Sequence, residues 1–346
     1  MIKGPKEHIA ETRKKRTESL FCGIQIAVLI FSVLFSGCAQ KEKYYKNTFL
    51  VAGTFVEVTS NHKEAFKIVR ATMEDLEKRF NLYDKNSEIS RLNSLAGIEP
   101  LEVSDSLLEI LKLSKTLNQL TDGAFDPSIG AAIAFWKEKI KNKKLEKFPD
   151  NSEIKKLSEL KGMNYIEFDE NKGTAFITKK GVSIDLGGIA KGYMIDKAAL
   201  ALRKNSIDSA LINAGGDMFC LGQKDLKPWR IGIRDPKAVS DILDTLKIVD
   251  EAVATSGDYE QFFEYDRKKY SHIIDPATCL PSQSPLRSVT VIAHNATTAD
   301  GLATAFFIMG KEKIQQFLNA NRSNLKIFLV EDDNDKLSIH CLGPIF

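Results

Sequence analysis

The chain has 346 residues with 49 basic and 46 acidic side chains, and 43% of its residues are hydrophobic. Six of the basic and three of the acidic residues lie within residues 1–37, so residues 38–346 carry 43 of each sign. A chain of this length can bury a substantial core, but without net charge it has no basic field to hold a nucleic-acid backbone. We therefore expect no nucleic-acid partner.

Residues 1–37 have the pattern of a secretory signal peptide. Basic residues precede an apolar run of 16 residues, Leu20 to Phe35, and small residues stand before Cys38. The run is short of the roughly 20 residues that a membrane-spanning helix needs. We predict cleavage before Cys38, lipidation of that cysteine, and a periplasm-facing lipoprotein anchored in the inner or the outer membrane. An uncleaved signal anchor is the alternative, because Phe35 stands where leucine is commonest.

The next segments predict a polar tether at 38–47 and a single domain at 48–346. Residues 50–60 alternate between polar and apolar side chains as a strand does. Apolar residues recur at helical spacing over 65–80, over a segment from the capping residue Ser104 to Leu120, and around 154–160. The charged residues 137–147 are predicted to be a solvated surface excursion.

The second half is richer in strands. Strands are predicted at 209–217, 229–236, 246–256, 269–276 and 287–294, with a closing hairpin formed by 326–332 and 336–342. Clustered strands with few alternating helices favour an α+β fold with antiparallel sheets flanked by helices. Because no G-x-G-x-x-G follows a strand, a Rossmann cofactor site is not expected.

One pair of segments predicts a magnesium and phosphate site. In TTADGLAT, Asp300 and Thr304 stand one helical turn apart if Thr297 or Thr298 caps a helix running to Met309. In SIDLGGIAKGYMID, residues 183–196, two glycines open a helix whose first amide groups could attract an anion. Few hard oxygen ligands beside a phosphate suit Mg²⁺.

Four further segments place an Asp or His beside residues of special backbone geometry: TDGAFDPSIG at 121–130, NAGGD at 213–217, TSGDY at 255–259 and SHIIDP at 271–276. Each alone is explained by turn formation. His272 is the best candidate for proton transfer, since the free pKa of histidine lies near neutrality. A histidine that only hydrogen-bonds phosphate or backbone is the alternative.

Together these motifs resemble the ApbE family of FAD:protein FMN transferases, in the same order and from about Val51 to Leu342. The resemblance implies an ApbE-like, T-fold-like architecture and transfer of the FMN half of FAD to a Ser or Thr of an acceptor flavoprotein. AMP is released and Mg²⁺ is required. Acceptors in this family carry a Ser/Thr-Gly-Ala-Thr type site.

The resemblance also implies roles for individual residues. Mg²⁺ would be bound by Asp300, Thr304 and the backbone carbonyl of Ala190. The residues implied to contact FAD are Tyr83, Ala124, Phe125, Asp126, Asp185, Lys191 and Ile274, and Ala52 replaces a methionine that the family places beside the cofactor. Tyr83 favours transfer over hydrolysis, because hydrolytic members tend to have asparagine there.

Two alternatives remain beside the transferase: an FAD pyrophosphatase giving FMN and AMP, and a non-catalytic flavin-binding lipoprotein. Cys279 stands where the family usually has glycine, so a positive φ there would strain it by about 1 kcal/mol. Cys220, Cys279 and Cys341 have no metal-ligand spacing and are expected to be small buried residues, although one pair could form a disulfide.

Overall fold

Antiparallel strands dominate the computed structural model, which describes residues 42–141, 147–235, 241–258, 262–266, 268–321, 324–333 and 336–344. Residues Tyr44–Phe346 form one compact unit. The predicted signal peptide, Cys38 and the tether up to residue 41 lie outside the described residues, as do 142–146 of the charged segment and Tyr259.

A sheet of eight antiparallel strands forms the centre of this unit. These eight are among the strands that the described residues form, which in chain order are β1 Tyr45–Val51, β2 Thr54–Ser60, β3 Leu101–Glu102, β4 Ile166–Asp169, β5 Thr174–Ile177, β6 Ala210–Ala214, β7 Asp217–Leu221, β8 Trp229–Arg234, β9 Ile242–Ile248, β10 Glu251–Gly257, β11 Phe262–Tyr265, β12 Lys268–Ser271, β13 Ile274–Asp275, β14 Leu280–Pro281, β15 Leu286–Ala293, β16 Lys326–Asp333 and β17 Lys336–Leu342. The central order is β1-β2-β6-β7-β10-β15-β16-β17, and the other strands form small sheets β3-β5-β4, β8-β9, β11-β12 and β13-β14.

Helices cover the sheet and confirm the predicted α+β class. They are α1 Ala65–Phe80, α2 Glu88–Ser94, α3 Asp105–Leu120, α4 Gly130–Lys141, α5 Asn151–Glu159, α6 Ala190–Lys204 and α7 Ala296–Asn321, with a 3₁₀ turn at Met163–Tyr165. Helix α6 packs on β6 and β7, α7 packs on β10 and β15, and the two helices pack on each other. Within the described ranges, no helix combines the length and apolarity needed to cross a membrane.

Local sequence explains where several helices begin. Ser104 accepts a hydrogen bond from the amide of Leu107 at 3.3 Å, which confirms the predicted cap of α3. Asp150 and Glu153 form a reciprocal capping box at the start of α5. Helix α1 buries Val69 and Met73 on its core side, as its spacing predicted.

The predicted strands at 50–60 and 246–256 are each divided by a turn, although the apolar pattern of the sequence continues through it. Residues 50–60 span a β1–β2 hairpin, in which Ala52 and Gly53 take φ of 50° and 70° at the turn. β1 begins at Tyr45, inside the segment predicted as tether. The predicted strand 246–256 breaks near Asp250 (φ 51°), and its two halves join different sheets. In both places a positive φ reverses or redirects the chain.

The cysteine predictions are confirmed in part. Cys220, Cys279 and Cys341 are all free thiols, and the first two are buried while Cys341 is exposed. Cys279 has φ of 57°, so this non-glycine residue occupies the left-handed region. Its carbonyl accepts the indole N–H of the fully buried Trp136 at 2.8 Å, which ties the β13–β14 turn to α4.

Candidate active site

Three of the sequence motifs meet where α6 passes the start of α7. A Cβ atom added to Gly188 would stand 3.2 Å from the hydroxyl of Thr304 and 3.5 Å from the ring of Phe125. Neither Gly187 nor Gly188 is among the described residues with positive φ. The pair is therefore explained by close approach rather than by a special backbone conformation.

Helix α7 begins differently from the prediction that Thr297 or Thr298 caps it. The carboxylate of Asp196, on α6, accepts the amide of Ala296 at 2.7 Å and the amide of Thr297 at 2.8 Å. The side chain of Asn295 accepts the amide of Thr298 at 2.8 Å. The helix continues past Met309 to Asn321 across a kink at Gly310. A long-range carboxylate, which no local pattern reveals, thus sets the register of Asp300.

Asp300 is held by the backbone of α6. Its Oδ2 accepts the amide of Gly192 at 2.9 Å, and a Cβ on Gly192 would stand 2.9 Å from the Asp300 Cβ. The Oδ1 atom lies 3.5 Å from the ammonium of Lys191, which pairs more closely with Asp217. Burial, together with the charge of Asp217, raises the pKa of Asp300 against the opposing effect of Lys191.

This donor set fits the predicted divalent cation. Asp300 is 3% exposed, and one turn further the Thr304 hydroxyl lies 3.3 Å from that of Ser256. In the part of the chain that the structure describes, no three His, Cys, Asp or Glu side chains cluster as metal ligands. One carboxylate, one hydroxyl and a carbonyl such as that of Ala190 suit Mg²⁺, which keeps waters and shares ligand phosphates, better than Zn²⁺.

The expected phosphate cradle at the start of α6 is smaller than the sequence suggested. The amides of Ile189 and Ala190 donate to the carbonyl of Leu186 at 3.0 and 2.8 Å, and the amide of Gly192 donates to Asp300. These three groups are committed inside the protein. Positive charge for a phosphate here would therefore come mainly from Lys191.

Asp185 forms a second part of the site. It is 7% exposed, its Oδ1 accepts the amide of Gly187 at 2.7 Å, and its Oδ2 lies 2.9 Å from the ammonium of Lys137. Burial would lower the pKa of Lys137, but Asp185 and the nearby Tyr83 raise it. Tyr83 is 86% exposed, so its ring is accessible to a ligand beside this ion pair.

The loop that carries Ala124, Phe125 and Asp126 packs against the strand-like segment before α6. The amide of Asp185 donates to the carbonyl of Pro127 at 2.8 Å. Asp126 accepts the amide and hydroxyl of Ser128 at 2.8 and 2.6 Å, and burial raises the pKa of its carboxyl against these hydrogen bonds. The hydrogen bond from Asp185 to Pro127 therefore brings the segment 121–130 beside the segment 183–196.

His272 and Ile274 lie in the segment between β12 and β14. Ile274 is 4% exposed and belongs to a small core with Ile129 and Trp136, while His272 is half-buried. Ala52 lies at the β1–β2 turn, where its amide donates to Glu77 at 2.8 Å. The roles predicted for these three residues stay predictions.

Sequence reasoning missed two charged residues. Asp217, 3% exposed at the start of β7, belongs to the NAGGD segment that was noted without a role. Lys137 was placed in a solvated excursion, but it is in α4 and pairs with the buried Asp185. The glycines before Asp217 are a usable signal, whereas nothing local marks Lys137.

Comparisons with known proteins agree with this architecture, an antiparallel sheet covered by helices. The model of the ApbE family matches residues 52–329. The chain therefore belongs to the ApbE family. The solved ApbE flavin transferase of Vibrio cholerae is 27% identical with a TM-score of 0.76, covering 86% of this chain and 97% of that one. The ApbE protein of Thermotoga maritima is 32% identical with a TM-score of 0.75, covering 86% and 96%.

Relatives named FAD:protein FMN transferase are similar over most of their length. The Vibrio cholerae protein is 33% identical over 269 residues, which is 76% of this chain and 79% of that protein. The Treponema pallidum protein is 32% identical over 301 residues, covering 80% and 82%. The Haemophilus influenzae protein is 30% identical over 279 residues, covering 79% and 80%.

Proposed function

We propose that this protein is an Mg²⁺-dependent FAD:protein FMN transferase that joins FMN to a Ser or Thr hydroxyl of an acceptor flavoprotein through a phosphoester bond and releases AMP. The observation that carries the proposal is the meeting of Gly188, Thr304 and Phe125, which belong to three separate motifs. Family membership and relatives named for this activity support it.

The proposed residues divide into a metal-binding and an FAD-binding group. Asp300, Thr304 and the carbonyl of Ala190 would bind Mg²⁺, which neutralises phosphate charge and helps the AMP group to leave. The FAD contacts would be Tyr83, Ala124, Phe125, Asp126, Asp185, Lys191 and Ile274, with Ala52 at the edge.

In the transfer, a new bond forms between the acceptor oxygen and the FMN phosphorus while the phosphorus–oxygen bond to AMP breaks. The hydroxyl proton passes to a ring nitrogen of His272, whose free pKa is near neutrality. Lys191 stabilises the negative charge of the phosphate. His272→Gln should therefore lower kcat by roughly 10²- to 10⁴-fold and flatten the acid limb of the pH profile; a changed KM with an unchanged kcat would assign the histidine to phosphate binding instead.

The location is also a proposal. The basic N-terminus, its apolar run and Cys38 support a lipoprotein whose domain faces the periplasm, anchored to the membrane by lipid. Such a protein would meet acceptors that carry a Ser/Thr-Gly-Ala-Thr type site on the same side of the membrane. Labelling with a radioactive fatty acid tests this, because Cys38→Ser should abolish incorporation.

Intact mass spectrometry tests the activity directly. The full chain is incubated with FAD, Mg²⁺ and an acceptor carrying the Thr site, in parallel with Asp300→Asn and with Asp208→Asn, a change at an exposed carboxylate. The acceptor should gain the mass of one FMN residue with the native protein and Asp208→Asn, and none with Asp300→Asn or EDTA. Free FMN and AMP without acceptor gain would indicate the pyrophosphatase, which Tyr83 disfavours, and intact FAD would indicate a binding protein.

A further inference from the structure

A single ammonium group lies between two buried carboxylates in this site. Asp217 and Asp300 are each 3% exposed, and the side chain of Lys191 is 31% exposed. Asp217 comes from β7, Lys191 from α6 and Asp300 from α7, so the cluster forms only in the tertiary structure. Nothing in the proposed function uses Asp217.

The two carboxylates hold the ammonium unequally. Lys191 makes a short contact with Oδ2 of Asp217, while its distance to Oδ1 of Asp300 is 3.5 Å, at the limit of a hydrogen bond. Asp217 is itself fixed, because its Oδ1 accepts the amide of Thr255 at 3.2 Å. The position of the ammonium is therefore set from the Asp217 side.

The Oδ1 atom of Asp300 is the oxygen that remains for a cation. Oδ2 of Asp300 accepts the amide of Gly192 at 2.9 Å, which leaves Oδ1 to face Lys191 and any divalent ion. An ammonium and a divalent cation repel each other and compete for the same carboxylate oxygen. If Lys191 moved fully onto Asp300, it would block that oxygen.

We propose that Asp217 is a positioning residue that holds Lys191 away from the metal-facing oxygen of Asp300, an inference that rests on the proposed metal site. Asp217 does not bind the ion in this arrangement. It acts by keeping the lysine charge at one side of the site, where a ligand phosphate can use it.

Binding of Mn²⁺, used as a probe and followed by electron paramagnetic resonance of the full chain, tests this without any turnover. Asp217→Asn keeps the shape of the side chain but releases Lys191, so Mn²⁺ affinity should fall roughly 10- to 100-fold, the range found when residues that support metal ligands are changed. The double variant Asp217→Asn with Lys191→Met removes the competing ammonium, and its Mn²⁺ affinity should return to within about threefold of the native value.

The outcomes separate this inference from the proposed function. If the native protein binds one Mn²⁺ that Asp300→Asn abolishes, but Asp217→Asn binds it equally well, the role of Asp217 is wrong and the metal site stands. If the double variant binds as weakly as Asp217→Asn, Asp217 acts on the ion directly and the inference is also overturned. If the native protein binds no Mn²⁺, both the metal site and the role of Asp217 fail. Thermal unfolding of each variant shows that it is folded.

Discussion

Gly192→Ala tests whether the close packing of α6 on α7 places Asp300 in the site. A Cβ atom at Gly192 would overlap the carbonyl of Ala296, with 2.6 Å to its carbon, and would stand 2.9 Å from the Cβ of Asp300. The obstacle is backbone, so α6 and α7 must separate. Overpacking of this kind costs about 3 kcal/mol at the upper end of its usual range, and the better helix propensity of alanine returns about 1 kcal/mol.

The net loss should therefore be about 2 kcal/mol of unfolding free energy, or about 3 °C in Tm for a domain of this size. Gly301→Ala is the matched control, because the only close contact among those of its Cβ would be with the Cδ1 methyl of Leu117, at 2.5 Å, which belongs to a side chain and not to backbone. With the same gain in propensity, Gly301→Ala should stay within about 1 kcal/mol of the native protein.

Urea unfolding followed by circular dichroism measures both variants, without metal. Gly192→Ala should also bind Mn²⁺ more weakly, because moving α7 displaces Asp300. Equal stability of Gly192→Ala and Gly301→Ala would refute the reasoning that this glycine is required by the helix crossing.

Three further predictions concern charge and backbone strain. Lys137→Met removes the hydrogen bond that Lys137 donates to Asp185, a proposed FAD contact. The KM for FAD should rise about tenfold, which corresponds to the loss of one hydrogen bond to a charged group. Lys139→Met, at a lysine lying over the ring of a neighbouring phenylalanine, should leave this KM unchanged; equal effects of the two substitutions would refute a specific role of Lys137. Because the folded state raises the pKa of Asp126, the native protein should lose stability as pH rises from the unfolded value of about 3.9 towards the folded one. Asp126→Asn should escape this loss, so the urea midpoint of the variant relative to the native protein should increase with pH, and a constant difference would contradict the sign. Cys279 and Cys220 are both buried, but only Cys279 has a positive φ. Because glycine adopts a positive φ without strain, Cys279→Gly should cost about 1 kcal/mol less unfolding free energy than Cys220→Gly. Equal costs would show that the left-handed turn at Cys279 carries no strain.

Patterns that depend on near neighbours were predictable from the sequence. Helical spacing located α1 and α3, alternation located the closing hairpin β16–β17, and an i, i+4 pair put Asp300 and Thr304 on one helix. The order of the motifs identified the family before any contact was known. These signals are local because a helix or strand imposes its own period on the residues that it buries.

What the sequence alone did not determine depended on groups far apart in the chain. The carboxylate that caps α7 belongs to Asp196 on another helix. Lys137 pairs with Asp185, 48 positions away in the chain, and Lys191 pairs with Asp217 on β7. The turns at Ala52 and Asp250 were also not predicted, because the apolar pattern continues through them. Burial and charge pairing are properties of the packed molecule, so the composition of a segment predicts neither the partner of a charge nor the helix that holds a carboxylate in place.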